Sequence, residues 1–164
     1  MEASDYLLTL AEVAVAFVGF AAIVLSLRER SEGPAPDGSV ALGWLVERGL
    51  AALFFSLLPL LLGFLDVPPE IGWRASSGLL SCYLVYAAYS SLAERFRYSE
   101  RVNPVGAANY YARFSASLLV LISQAMAAAD LLPALRTGIY LLGCTWLLVL
   151  AAMIFTTILR RRAA

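Results

Sequence analysis

No histidine and no lysine occur anywhere in this chain, and cysteine occurs twice. Neutral imidazole is the commonest protein metal ligand and a frequent general base, so its absence removes several enzyme classes. Without lysine there is no Schiff-base amine, and no serine has a histidine to activate it. Cys82 and Cys144 both fall inside apolar runs and match no zinc spacing. There is no surplus of charge either: twelve basic residues balance twelve acidic ones. Nothing in the bulk charge points to nucleic acid or to an acidic partner. Repeats of fixed period and an inverted pair of halves, the usual mark of alternating-access transporters, are also missing. From these absences we expect no catalytic residue, no metal site, no cofactor and no nucleic-acid partner. The chain reads as a non-enzyme.

What is present is hydrocarbon. Apolar residues make up 61% of the 164 positions and the mean hydropathy is +0.77, beyond the roughly half expected of a soluble domain. Five runs stand out, at 7–27, 45–65, 76–92, 114–130 and 137–159. Each approaches the ~20 residues that cross a hydrocarbon core of about 30 Å. The expected fold is all-α: one transmembrane domain over 1–164, a polytopic bundle of about five spans. The loops are too short to hold a separate soluble domain.

All twelve basic residues are arginines, and they alternate between the flanks of these runs. Arg28, Arg30 and Arg48 lie between the first and second, Arg74 precedes the third, and Arg95, Arg97, Arg101 and Arg113 lie between the third and fourth. Arg136 precedes the fifth, and Arg160, Arg161 and Arg162 follow it. Ten fall on one side and two on the other. Cytoplasmic loops carry the excess, which places the amino terminus outside and the carboxyl terminus inside. The leader of the first run is acidic, with Glu2 and Asp5, and the run lacks a small-x-small cleavage site, so it reads as a permanent helix.

Proline and glycine mark a loop at Ser31 to Gly38. Trp44 with the Glu47–Arg48 pair reads as an inner-interface anchor, and Pro59 as a kink in the second helix. Asp66-Val67-Pro68-Pro69-Glu70 reads as an outer loop with Trp73-Arg74 anchoring the helix after it. The third run is the least apolar, carrying five serines and three tyrosines; a re-entrant segment is its alternative. A cytoplasmic helical extension over 93–101 follows, with Glu94, Arg97 and Glu100 spaced for same-face pairing. Asn103-Pro104 ends it. Leu132-Pro133 marks a tight turn that makes the last two runs an antiparallel hairpin.

Buried polar residues have approximate depths, at about 1.5 Å of rise per residue. Glu12, Ser81, Cys82, Ser123, Gln124, Cys144 and Thr145 all fall about two turns from the outer surface, with Ser56 and Pro59 near that level. Glu12 is the strongest candidate, since an acid at mid-helix costs about 2.5–3.5 kcal/mol on insertion scales and must face protein or water. Asp5, Thr9, Glu12, Ala16, Gly19, Ile23 and Ser26 follow steps of three and four, so they share one helical face. Phe17 and Phe20 flank it. A second small stripe, Gly49, Ala52, Ser56, Pro59 and Gly63, suits close helix packing. Glu12 has three readings: a carboxyl locked against the fourth helix, for instance through Gln124; an acidic group lining a polar cavity; or a residue near enough to the interface to be solvated.

Ala11-Glu12-Val13 through Phe17-Val18-Gly19-Phe20-Ala21-Ala22-Ile23-Val24, followed by basic residues, resembles the first helix of many small uncharacterised bacterial multi-pass proteins. Phe54-Phe55-Ser56-Leu57-Leu58-Pro59 is similar to theirs as well. The resemblance covers about a third of the chain, brings no known activity with it, and implies a bacterial inner membrane, as does the arginine-only, Ala- and Leu-rich composition. The leading functional expectation is an oligomeric, channel-like protein conducting small ions. Its polar cavity would draw on Glu12, Asp5, Thr9, Ala16, Gly19, Ile23, Ser56 and Gln124, with Phe17 and Phe20 as an apolar inner gate. The alternative is a non-catalytic scaffold or accessory subunit that binds another membrane protein; a small transporter is third.

Overall fold

The computed structural model describes residues 3–32, 38–97 and 104–161. Every regular element in that set is helical: α1 (Ala3–Glu32), α2 (Gly38–Phe64), α3 (Pro69–Arg97), α4 (Pro104–Ala128) and α5 (Arg136–Arg161), with a 3-10 turn at Pro133–Leu135 before the last. The chain is all-α. Each apolar run lies within or nearly within one helix. The runs mark only the hydrocarbon stretch, and the helices run past it at most ends.

The ends have local causes. α2 stops at Phe64, and Asp66 adopts φ 55, a left-handed conformation that only a few non-glycine residues accept. α3 then begins at Pro69, seven residues before the expected run. The proline pair that reads as a loop is a helix start: Pro69 has no N–H to leave unbonded, and Glu70 complements the positive end of the helix. α4 likewise begins on Pro104. It ends in a Schellman arrangement, the Leu131 N–H reaching the Met126 carbonyl at 3.0 Å and the Asp130 N–H the Ala127 carbonyl at 3.2 Å. Asp130 takes the left-handed position, φ 62, where glycine is usual. The helical extension is described as far as Arg97; residues 98–101, Asn103, most of the Ser31–Gly38 loop and Arg162 lie outside the described residues.

The helices form two compact units. In the first, α1 and α2 pack with α5 from Cys144 onward. Val18 meets Gly49 and Ala21 meets Leu45, a register in which one number rises as the other falls, so α1 and α2 are antiparallel. Phe17, Leu42, Val46, Ile154 and Phe155 close around Ala21 and Leu45. In the second unit α3 and α4 are the main packing pair, joined by the first residues of α5. Gly78 lies against Ala128, and Gly143 allows Gln124 and Leu80 to approach.

The distribution of residue types is that of a membrane protein. Buried positions are often small or polar: Ala14, Ala52, Ser56, Ser77 and Gln124 are fully enclosed. Large apolar side chains such as Val15, Phe20, Leu61, Leu119 and Leu142 are exposed. Among the described residues, four stretches are long and apolar enough to cross a bilayer: Ala3–Val24, Leu42–Phe64, Tyr110–Ala128 and Pro133–Thr157. α3 has the length but not the hydropathy, because its serines, tyrosines and Arg74 dilute the apolar positions. Its run at 76–92 is therefore a helix as expected, though not one that would partition into lipid by composition alone.

Candidate functional site

α1 divides cleanly into two faces. Leu7, Leu10, Ala11, Ala14 and Ala21 are buried. Asp5, Thr9, Glu12, Ala16, Gly19, Ile23 and Ser26 are exposed without exception. The stripe legible in the sequence is thus one continuous surface, and it is the surface the chain leaves uncovered. Glu12 lies nine residues after Ala3, about 13 Å along the axis, well inside the Ala3–Val24 stretch. Thr9 turns its hydroxyl back to the Asp5 carbonyl at 2.9 Å, which satisfies it within the helix. An added Cβ at Gly19 would meet nothing within 4 Å. The chain's own packing does not require glycine there.

The two aromatic candidates share a partner on α5. Phe17 meets Phe155 edge-on, with ring centroids 5.8 Å apart and planes at 81°, and Phe20 does so at 6.3 Å and 65°. Such edge-to-face pairs contribute about 0.5–1.5 kcal/mol beyond their buried area. Nearer the other end of α1 the Tyr6 and Thr145 hydroxyls are 3.2 Å apart, a second tie between α1 and α5. The remaining candidates lie elsewhere. Ser56 is enclosed within its unit and its hydroxyl has no partner, so it does not share the exposed surface of the α1 stripe. α2 runs unbroken through Pro59. Gln124 belongs to the second unit, where its amide nitrogen donates to the Ile139 carbonyl at 2.5 Å and fastens α4 to α5. Its Oε1 is buried without a partner.

Two arrangements escape sequence reasoning. Arg48, which reads as a snorkelling interface residue, is only 4% exposed, and its guanidinium carbon sits 5.1 Å from the centre of the Trp44 ring. The spacing of four residues was the available signal. The second is a charge clamp at the α4–α5 turn. Asp130 receives the Arg136 guanidinium, with Arg74 3.8 Å away on its other side. Arg74 also donates to the Ala128 carbonyl at 3.2 Å, and Arg136 to the Glu70 carbonyl at 3.4 Å. Arg136 is buried, and its Nε has no partner. No sequence spacing joins Arg74 to Asp130; folding does.

Among the described residues no group of three or more histidine, cysteine or acidic side chains comes together to hold a metal. Together the all-helical fold and the apolar stretches among the described residues support a multi-pass helical membrane protein. Comparison with protein families, curated proteins and solved structures finds no match.

Proposed function

We propose that the chain assembles with copies of itself into a conduit for small cations in a bacterial inner membrane, the α1 stripe of each copy facing the common axis. Glu12 then recurs as an acidic ring toward the outer mouth, and the exposed Phe20 and Ile23 form an apolar constriction on the inner side, with Phe17 behind them against the Ala21–Leu45 core. The observation that carries this reading is that Glu12 and its stripe from Asp5 to Ile23 are exposed on the chain while lying inside the apolar stretch Ala3–Val24. Lipid is a costly neighbour for that carboxyl, at about 2.5–3.5 kcal/mol on insertion scales. A symmetry axis supplies water and matching small residues at Ala16 and Gly19 instead. Phe155 braces the two phenylalanines from behind, which suits a gate better than two free side chains would. The threading in this reading has five crossings, amino terminus outside and carboxyl terminus inside, on the arginine distribution.

Purified protein in liposomes tests it. Cation flux is expected, and Glu12→Gln is expected to lower it or to erode cation-over-anion selectivity. A protein that passes no ion under voltage, stretch or pH change overturns the conduit. Copurification of a stoichiometric unrelated membrane protein on the same α1 face would replace it with the scaffold reading.

A further inference from the structure

α3 presents a physical problem. It runs 29 residues, about 43 Å at helical rise, and packs on α4, yet its composition falls short of a membrane span. α4 and α5 are both apolar enough to cross, and only residues 129–132 separate Ala128 from the turn at Pro133, so α4 and the first residues of α5 form a tight hairpin. The start of α3 is fastened to the tip of that hairpin on three sides. Arg74 reaches the Ala128 carbonyl and Asp130, Arg136 reaches the Glu70 carbonyl while pairing with Asp130, and the Trp73 ring meets Tyr140 edge-on at 5.6 Å. From there the buried positions Ser76, Ser77, Leu80, Leu84 and Ala87 recur at helical spacing. A helix that starts at the hairpin tip and packs against α4 runs back through the same layer as α4.

The polar groups of α3 are arranged to suit that course. Ser76 and Ser77 are fully enclosed by protein. Ser81, Ser90 and Ser91 turn their hydroxyls onto carbonyls of their own helix at 2.8–3.1 Å, which removes most of the penalty of placing a hydroxyl near hydrocarbon. The glycines at 78 and 143 bring the helices close enough for packing to contribute what hydropathy does not.

We propose that α3 is a conditional membrane span, held across the bilayer by the Asp130-centred clamp and the Trp73–Tyr140 contact that fasten it to the α4–α5 hairpin. Its dependence on the clamp is separate from the conduit; the inference shares with that reading only the five-crossing threading. Cys82, exposed and about midway along α3, is a built-in reporter, while the other cysteine, Cys144, is buried.

The test is labelling of Cys82 by a membrane-impermeant maleimide in intact vesicles of both orientations, using the full chain. In the wild type Cys82 is expected to stay unlabelled until detergent is added. Asp130→Asn, which keeps the left-handed backbone tolerable and removes only charge, is expected to speed labelling roughly fivefold or more. If that variant fails to accumulate, Arg74→Gln, which removes the outer leg of the clamp alone, is expected to give a smaller increase. Glu12→Gln serves as the control and leaves Cys82 shielded. Rapid labelling of the wild type from either side would overturn the crossing, and unchanged shielding in both clamp variants would overturn its dependence on the clamp. Neither result bears on ion flux, and loss of flux in Glu12→Gln does not alter the labelling.

Discussion

Glycines 49 and 19 lie on neighbouring helices and serve different purposes. At Gly49 a Cβ would overlap the Cγ2 of Val18, and a β-branched side chain packed between two helices has little room to turn away. Gly49→Ala is therefore expected to lower stability by about 1–3 kcal/mol, measured by unfolding in detergent. Gly19→Ala meets open space and is expected to change the same measurement by less than about 0.5 kcal/mol. Equal effects at both sites would refute this account of α1–α2 packing. Asp130 allows a similar separation of causes. Asp130→Asn retains a residue that tolerates φ 62 but leaves buried Arg136 without its counter-charge. The expected loss is about 1–3 kcal/mol, below the 3–5 typical of fully buried pairs because the Asp130 side chain is 39% exposed. A loss no greater than that of a typical surface substitution would show the pair to be idle.

At the scale of elements, Phe155 links both phenylalanines of α1 to α5. Phe155→Ala is expected to destabilise the first unit by roughly 1–3 kcal/mol and, on the conduit reading, to raise the leak through the closed state. A variant with normal closed-state current would separate Phe155 from gating. The elements were largely legible in the sequence: the five apolar runs located all five helices, and steps of three and four placed seven residues on one face of α1. The start of α3 was not, since Pro68-Pro69 reads equally well as a loop or as the first turn of a helix. The direction of the α1 stripe was not either. Periodicity says that Glu12 and Gly19 share a face, but only packing shows that Leu7, Ala14 and Ala21 claim the opposite one. The clamp was hidden for a third reason, that 56 residues of sequence separate Arg74 from Asp130.

For the whole molecule the parity of crossings decides what faces what. With five, ten arginines fall on the side of the carboxyl terminus and two on the other; with α3 left out, the division is eight to four and both termini join the arginine-rich side. The sharper asymmetry belongs to five, and it is this asymmetry that puts the amino terminus outside in the conduit proposal. Accessibility of tags at each end is expected to place the termini on opposite faces; both in the cytoplasm would turn Glu12 toward the inner half and reverse the proposed mouth and gate. Assembly tests the same stripe independently of orientation. Gly19→Ile adds a branched side chain where the chain itself has open space, so the folded monomer should retain its unfolding midpoint. Copies approaching through Ala16 and Gly19 would be held apart, and the oligomer should dissociate on size-exclusion chromatography in mild detergent. An oligomer that survives Gly19→Ile intact would mean that α1 faces something other than its own copies, and the axis would have to be sought on another helix.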